Sequence, residues 1–312
     1  YNTIPVGQLG IIALPGCEEL ANKIDNYLIR WRFQRNSEHK DTLAFAGYEK
    51  STYLINMDFP RFGTGEGKAA LNQTVRGYDI YILCDVFNYG VTYKMYGITV
   101  PMSPDEHFAN LKRAISAIEG KAKRVSVIMP MLYEGRQHKR SSRESLDCAM
   151  MLQELHNMGV ENFITFDAHD PRVMNAIPLC GFESISPAYQ MIKAAVNNVD
   201  NLKINKDNIM IISPDEGGMS RCIYYSTVLG VELGMFYKRR DFSRIVDGRN
   251  PIIAHEFLGD NVEGKDVIIV DDMISSGESM IEVATKLKEL KAARIYIFSA
   301  FGLFCNGFDA FD

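Results

Sequence analysis

Short apolar runs alternate along this chain with longer segments in which apolar residues recur every three to four positions. The runs are rich in β-branched residues and predict strands buried on both faces, as central parallel strands are. The predicted strands are 9–13, 53–57, 79–83, 125–129, 163–166, 209–212, 233–237, 267–270 and 295–298. The periodic segments predict helices over 18–31, 104–118, 145–158, 189–196 and from Met280 onward. This alternation predicts an α/β protein with two doubly wound domains and mainly parallel sheets, residues 1–185 and 186–312. Residues 33–50 are polar and poorly periodic, and we expect a loop or hairpin there.

An acidic pair follows the predicted strand Val267–Val270. Asp271 and Asp272 come directly after it, and a turn of Ser and Gly then leads into a helical pattern. We expect the strand to end at this pair. Backbone N–H groups of such a turn, together with the helix N-terminus, form an anion site. The carboxylates would repel a bare phosphate, but they suit sugar hydroxyls or a Mg²⁺ ion that accompanies a phosphate. The structural alternative is a plain strand, turn and helix with an exposed acidic pair.

Polar groups also follow four other predicted strands. The segments concerned are the basic run 133–143, residues 167–170 around His169, residues 213–218, and residues 238–240. Because α/β proteins bind ligands at the carboxyl ends of their parallel strands, this placement favours binding sites. The alternatives are a solvated charge run, a structural histidine and a basic surface patch. Gly217 and Gly218 would let the backbone approach a diphosphate closely.

Composition narrows the class of protein. The net charge of −5 argues against general nucleic-acid binding, which relies on basic surfaces. The six cysteines form no CxxC pair and no short disulfide spacing, so we expect buried thiols in a reducing cytoplasm. We find no apolar run of membrane-spanning length and no N-terminal signal pattern. The chain starts at Tyr1 and stops at Asp312 shortly after a predicted strand, so we expect the natural protein to extend further.

The segment 62–68 partly matches a P-loop because it ends in Gly67-Lys68. Phe62 replaces the first glycine of that motif, and Ala69 replaces the Ser or Thr that would hold Mg²⁺. A P-loop is therefore rejected. Either a Gly-rich hairpin turn or a different binding loop remains.

The acidic pair and its turn resemble the ribose-phosphate loop of the type I phosphoribosyltransferase fold. Residues 213–218 match the Ser-Pro-Asp-x-Gly-Gly of the ribose-phosphate diphosphokinase (phosphoribosyl-diphosphate synthetase) family, and the resemblance runs from about residue 9 to 304. It implies two phosphoribosyltransferase-like domains, the first with ATP-binding loops and the second with the ribose-phosphate loop. The implied reaction transfers a diphosphoryl group from Mg-ATP to ribose 5-phosphate, giving phosphoribosyl diphosphate and AMP. It also implies a homo-oligomer whose subunit contacts complete the ATP site. Residues 88–103 look like an insertion relative to the family.

The resemblance assigns roles to single residues. An adenine loop is assigned to Phe62, Thr64 and Glu66, with Phe62 stacking on the ring and Glu66 accepting from its amine. Further ATP contacts are assigned to Arg136, Gln137 and His169, and metal contacts to His169 and Asp215. Ribose-phosphate binding is assigned to Asp215, Asp271, Asp272, Ser275, Ser276, Gly277 and Ser279. Lys238 and Arg240 are assigned to stabilising the reacting phosphates.

The chain departs from the family pattern in its ribose-phosphate loop. The family has Asp-Thr-x-Gly-Thr where this chain has Ser275–Ser279, so an acid is lost at Ser275 and Glu278 replaces a glycine. A different ribose phosphate could therefore be the acceptor. An acidic residue that the family carries after its Arg-Gln pair is also missing.

Three functions compete: an active diphosphokinase, a phosphoribosyltransferase that consumes phosphoribosyl diphosphate, and a regulatory paralogue that binds nucleotides without catalysis. The second leaves the adenine loop and the first domain without a role. The altered loop is evidence for the third function, whereas retention of His169, Asp215, Lys238 and Arg240 is evidence against it.

Overall fold

The chain divides into two compact units, Tyr1–Ile185 and Ser186–Asp312. The computed structural model describes residues 5–38, 49–240, 252–309 and 311, except for the side chains of residues 238–240 and 252–255. Within these ranges, no helix combines the length and the apolar character that crossing a membrane requires.

The first unit is a parallel sheet covered by helices on both faces. In chain order it contains β1 (Gln8–Ala13), α1 (Glu18–Ser37), β2 (Met57–Asp58), β3 (Ala70–Leu71), β4 (Tyr78–Leu83), β5 (Thr92–Met95), β6 (Ile98–Pro101), α2 (Pro104–Ile118), β7 (Arg124–Ile128), α3 (Asp147–Asn157), β8 (Asn162–Phe166), a 3₁₀ helix (Pro171–Ala176) and β9 (Gly181–Ile185). The five-stranded sheet has the order β1-β4-β7-β8-β9, and every neighbouring pair is parallel. Helix α1 packs on one face, and α2 and α3 pack on the other. The carboxyl ends of all five strands therefore meet at one edge.

Helix α1 is longer than its apolar pattern predicts. We expected it to end at Trp31, yet it continues to Ser37, so the expected loop is wrong for residues 33–37. Arg and Gln are good helix formers, and the Gln34 side chain donates to Glu38 at 2.8 Å, which supports the last turn without any buried face. Residues 39–48 of the expected loop lie outside the described part of the chain.

The segment that looks like an insertion, residues 88–103, folds into a β-hairpin. Strands β5 and β6 pair antiparallel, with Met95 opposite Ile98. The two residues between them, Tyr96 and Gly97, have φ of 50° and 80°. Positive φ at both central residues is the signature of a tight type I′ turn, which suits the right-handed twist of a hairpin.

The second unit contains, in chain order, α4 (Ala188–Asn198), β10 (Ile209–Ser213), α5 (Met219–Leu229), β11 (Glu232–Arg240), β12 (Ile252–Leu258), β13 (Asp266–Ile274), α6 (Glu278–Glu289) and β14 (Arg294–Gly302). Its five-stranded sheet has the order β12-β11-β10-β13-β14, in which only the β11–β12 pair is antiparallel. Helix α6 packs on one face and α4 and α5 on the other, so β10 and β13 are buried on both sides. The predicted α/β class with mainly parallel sheets is confirmed for both units.

Strand β13 does not end at the acidic pair, so that expectation was wrong. Its pairing with β14 continues through Asp271, opposite Ser299, to Ile274, opposite Gly302. On its other side, pairing with β10 ends at Ile269. The pair therefore lies within a strand that runs past the end of its other neighbour, because β14 supplies backbone partners there.

The prediction of buried thiols is correct for four of the six cysteines. Cys17, Cys84, Cys148 and Cys222 are buried and behave as small core residues. Cys180 is only partly buried and Cys305 is exposed, which the spacing of cysteines in the sequence did not indicate.

Candidate active site

Strand order places two of the predicted loops side by side in the second unit. From β10 the chain moves to β11 on one side, and it later returns to β13 on the other. Such a reversal leaves a crevice at the carboxyl ends of the two central strands, which is where open α/β sheets bind ligands. The Ser213–Gly218 turn follows β10, and the acidic pair lies beyond the end of β10 on β13. A Cβ on Gly218 would lie 3.7 Å from the Val270 carbonyl oxygen, so the two segments are in contact.

The turn after β10 is held by its own aspartate. Asp215 Oδ1 accepts from the N–H groups of Gly217 at 2.8 Å and Gly218 at 3.2 Å. The hydroxyl of Ser213, which is fully buried, donates to the Asp215 carbonyl oxygen at 2.7 Å. Oδ1 thus preorganises the turn, and among the described residues no bond engages Oδ2. A ligand that approaches the turn would meet this second carboxylate oxygen.

Asp272 is buried and Asp271 is partly buried, so the alternative of an exposed acidic pair is wrong. Asp272 is only 3% exposed, and its N–H donates to Asp271 Oδ1 at 2.9 Å. Burial raises the pKa of Asp271 to about 7, with its neighbour Asp272 adding to the effect. The Arg221 guanidinium, 3.8 Å from Asp271 Oδ1, opposes this only weakly. The pair is therefore poised to gain from a hydroxyl donor or a cation that would stabilise its charge.

The Ser/Gly turn ends at a helix N-terminus, as predicted. Gly277 has φ of 90° and immediately precedes α6, and Glu278 is the first residue of that helix. The Phe311 ring lies only 2.4 Å from where a Cβ on Gly277 would be, so glycine is required by both conformation and space. Glu278 is exposed, and a carboxylate in the first turn stabilises the helix through its dipole. Ser275, Ser276, Gly277 and Ser279 surround this N-terminus.

In the first unit, the loops after β7 and β8 meet at the carboxyl edge. The Phe166 N–H donates to the Pro130 carbonyl oxygen at 2.9 Å, which joins the two loops at their base. Further out, the rings of His138 and His169 lie 5.2 Å apart, and His138 Nε2 lies 3.5 Å from Asp170 Oδ2. The structure thus brings His169 together with the basic run that contains Arg136 and Gln137.

His138 was overlooked in the assignment from sequence. Asp170, its partner, is held by Arg172 at 2.6 Å, and the hydrogen bond from Arg172 lowers the pKa of Asp170 to about 2. Burial lowers the pKa of His138, although the Asp170 charge acts in the opposite direction. The signal in the sequence is its position directly after Gln137.

Residues 61–67 form a tight turn. The Phe62 N–H donates to the Glu66 carbonyl oxygen at 2.8 Å, and the Gly65 N–H donates back to the Phe62 carbonyl oxygen at 2.9 Å. The Thr64 hydroxyl donates to Glu66 Oε2 at 2.8 Å. The turn leaves the Phe62 side chain 56% exposed. The geometry agrees with the hairpin-turn alternative and also presents a ring on which a base can stack.

The backbones of Lys238 and Arg240 belong to β11, whereas their side chains lie outside the described part of the structure. Pairing of β11 with β10 ends at Met235, opposite Ser213, so β11 runs on past the start of the Asp215 turn. The ladder with β12 shifts register between Arg239 and Arg240. Such bulges re-aim side chains and are common beside active sites.

The predicted metal ligands His169 and Asp215 belong to different units. Among the described residues, no three His, Cys, Asp or Glu side chains form a group suited to a metal ion.

Comparison with known proteins accounts for both units. Residues 9–159 match the family model for the N-terminal domain of ribose phosphate pyrophosphokinase, and residues 182–301 match that for the phosphoribosyl transferase domain. The chain belongs to the ribose-phosphate pyrophosphokinase family. The predicted family, for which diphosphokinase and pyrophosphokinase are alternative names, is confirmed.

Relatives of the ribose-phosphate pyrophosphokinase family span most of the chain. The enzyme named ribose-phosphate pyrophosphokinase from Ralstonia nicotianae is 28% identical over 252 residues, which cover 79% of this chain and 70% of that protein. Its namesake from Thermoplasma volcanium is 26% identical over 264 residues, covering 83% and 80%. The crystal structure of phosphoribosylpyrophosphate synthetase from Mycobacterium smegmatis superposes with a TM-score of 0.70 at 19% identity, over 95% of this chain and 82% of that one. The names agree with the predicted enzyme class, a transferase of diphosphate groups, and the superposition supports the two-unit fold.

Proposed function

We propose that this chain transfers a diphosphoryl group from Mg-ATP to the anomeric hydroxyl of ribose 5-phosphate, giving phosphoribosyl diphosphate and AMP. The observation that carries the proposal is the match of both units to the pyrophosphokinase family, together with the Asp215 turn and the acidic pair adjoining at the strand-order reversal. A protein of this family in the cytoplasm would supply an activated ribose for nucleotide biosynthesis. As the resemblance implies, we expect it to work as a homo-oligomer.

The acceptor sugar is assigned to the second unit. Asp271 and Asp272 accept hydrogen bonds from ribose hydroxyls, which orients the anomeric oxygen for attack. The serines at 275, 276 and 279, with the backbone N–H groups at the start of α6, hold the 5-phosphate. Exposure of Glu278 supports this assignment, because an exposed carboxylate is screened by water from a phosphate at the helix N-terminus.

The nucleotide is assigned to the loops of the first unit. Phe62 stacks on the adenine, and Glu66 accepts from its exocyclic amine while Thr64 fixes the Glu66 carboxylate. Arg136, Gln137 and His169 contact the phosphates. The proximity of His138 and His169 supports a single site formed by the loops after β7 and β8.

The donor set fits Mg²⁺ in part. Mg²⁺ prefers oxygen ligands and is commonly held by one or two carboxylates together with substrate phosphates. Asp215 Oδ2 fits this role, whereas the His169 imidazole is a softer donor that suits a phosphate oxygen or a metal-bound water better. When bound, Mg²⁺ neutralises phosphate charge.

The chemical step moves charge and needs no covalent enzyme intermediate. The anomeric oxygen attacks the β-phosphorus of ATP, and the hydroxyl proton is released. The bond between the β-phosphorus and the oxygen that bridges it to the α-phosphorus breaks, and AMP leaves with that oxygen. The protein contributes alignment and electrostatic stabilisation, which dominate phosphoryl transfer. Lys238 and Arg240 supply positive charge for the phosphates as negative charge moves toward AMP.

Release of AMP tests the proposal directly. Purified protein is incubated with Mg-ATP, with and without ribose 5-phosphate, and AMP is followed through a coupled assay. We expect release that depends on the sugar phosphate. ATP binding without release would support the regulatory paralogue, and conversion of phosphoribosyl diphosphate with a base but without ATP would support the phosphoribosyltransferase. Parallel reactions with other pentose phosphates would reveal a changed acceptor.

We expect Phe62→Ala to raise the KM for ATP with a much smaller change in kcat. Stacking is present in both the ground state and the transition state, so its removal is a loss of uniform binding. Stacking of a base on an aromatic ring is worth about 1–3 kcal/mol, which corresponds to a rise of about 5- to 150-fold.

Phe33→Ala is the matched control, because Phe33 is also an exposed phenylalanine of the first unit, 76% exposed on α1. Its KM values should equal those of the wild type. If Phe62→Ala also leaves ATP dependence unchanged, residues 61–67 are an ordinary turn.

A further inference from the structure

The hairpin of β5 and β6 (the inserted hairpin) lies directly against residues 61–67 (the Phe62 turn). In β5 the side chains alternate, with Tyr93 and Met95 partly buried and their neighbours exposed. A Cβ on Gly65 would lie 2.9 Å from Met95 Sδ and 3.5 Å from Tyr93 Cε2. At the hairpin tip, the Tyr96 N–H donates to the Gly63 carbonyl oxygen at 2.8 Å. The hairpin therefore contacts the turn at two glycines, packing side chains against Gly65 and bonding to the carbonyl oxygen of Gly63.

Arg61 links the turn to the hairpin and to helix α2. Its guanidinium donates to the Gly65 carbonyl oxygen at 2.8 Å, and its Cζ lies 4.4 Å from the centre of the Tyr93 ring. The same group lies 3.7 Å from Glu106 Oε1, and the Tyr93 hydroxyl donates to that carboxylate. Because the Arg61 side chain is only 10% exposed, water screens these interactions little.

Glu106 anchors the network to a rigid element. It is the third residue of α2, where it forms a reciprocal capping box with Ser103. The Ser103 N–H donates to Glu106 Oε2 at 3.0 Å, so one carboxylate oxygen caps the helix and the other faces Arg61 and Tyr93. The chain of contacts thus runs from α2 through Tyr93 and Arg61 to the turn.

We propose that the inserted hairpin holds the Phe62 turn in the conformation that receives the nucleotide base, with Tyr93 as the positioning residue. The inference rests on the proposed function, which places the adenine on Phe62. A turn that contains Gly63, Gly65 and Gly67 loses much conformational freedom when it is ordered. The hairpin orders it before the nucleotide arrives, and preorganisation of this kind increases affinity.

The expected effect of Tyr93→Leu is a rise of about 3- to 10-fold in the KM for ATP, the scale of one lost cation–π contact and the hydrogen bond beside it. The kcat and the KM for ribose 5-phosphate should stay within about twofold of the wild type, because contacts to the base contribute equally in the ground state and the transition state. Tyr93→Phe keeps the ring over Arg61 and should recover most of the affinity. Tyr89→Leu is the matched control, because Tyr89 belongs to the same insertion but is 77% exposed.

A double-mutant cycle tests whether Tyr93 acts through the turn. Residues that act through a shared partner give non-additive effects. In a Phe62→Ala background, Tyr93→Leu should therefore raise the KM for ATP no further. Full additivity would overturn the proposal, as would equal losses for both substrates accompanied by a lower Tm, because both indicate a general structural role.

ATP affinity by calorimetry separates this inference from the proposed reaction. A wild-type protein that binds ATP but releases no AMP overturns the reaction alone, and the same cycle can then be run on Kd. A wild-type protein with full activity and a Tyr93→Leu variant with unchanged ATP affinity overturn the hairpin's role alone. A wild-type protein that does not bind ATP overturns both.

Discussion

Lys238→Ala and Arg240→Ala should each lower kcat by about 10²–10³-fold, the scale of one lost electrostatic donor at a transition state. Negative charge redistributes over the phosphate oxygens and toward AMP during transfer, so cations beside them act mainly on the rate. Substrate KM values should change much less. The double variant should fall short of the product of the two single losses, because the residues act as a unit. Steady-state kinetics with varied ATP and ribose 5-phosphate measure all of these quantities.

Arg239→Ala is the matched control for this experiment. Arg239 lies between the two residues in β11 and carries the same charge, and the family resemblance assigns it no role at the phosphates. It should therefore retain kcat close to that of the wild type. Equal losses of kcat at all three positions would indicate that positive charge acts here without regard to position. Losses confined to KM would assign Lys238 and Arg240 to uniform substrate binding.

Asp271→Asn should weaken use of ribose 5-phosphate by about 10- to 150-fold in kcat/KM, since a hydrogen bond to a charged group is worth about 1.5–3 kcal/mol. ATP affinity should stay unchanged, because the proposed partner of Asp271 is a sugar hydroxyl. Asp272→Asn should behave similarly. If ATP affinity fell by the same factor, the pair would belong to the metal–nucleotide site instead.

The same Asp271→Asn substitution should stabilise the free protein at alkaline pH. Asp271 has an ordinary pKa of 3.8 when unfolded and about 7 when folded, so folding takes up a proton between these values. Its favourable contribution is complete below pH 3.8 and is lost as the pH rises to about 7. Asparagine does not ionise, so the Tm advantage of the variant over the wild type should grow from pH 5 to pH 8.

Thermal unfolding across this pH range measures the effect. Asp260→Asn removes an exposed aspartate from the same unit and serves as the control for the loss of one carboxylate. A constant difference for Asp271→Asn would contradict the raised pKa. Together, lower activity and higher stability would mark Asp271 as a residue whose buried charge is kept for function.

Local patterns were enough for the class of fold and for the family. Apolar runs and three-to-four-residue repeats depend on the backbone geometry of strands and helices, which each segment expresses by itself. The turns at Ser213–Gly218 and Ser275–Ser279 could also be predicted, because glycine conformations and helix N-termini depend on a few consecutive residues. Helix α1 was shorter in prediction than in the structure because its last residues are polar, and only their helix propensity indicates the extension.

What the sequence by itself determined is therefore the kind of most central elements and the chemistry at the strand ends. It did not indicate β5, β6, β9 or β12, and of the predicted strand 53–57 only Met57 lies in a strand. Tertiary structure decided which of these ends meet. Pairing with β14 extends β13 through Asp271, and the order of β10, β11 and β13 places that residue beside the Asp215 turn. The approach of His138 to Asp170, 32 positions away in sequence, and the cover that β5 gives the Phe62 turn are likewise decided by tertiary structure. Burial is the largest cause of the raised pKa of Asp271, and it comes, like the opposing charge of Arg221, from segments that lie far apart in the chain until the sheet assembles, whereas Asp272 is its neighbour in sequence.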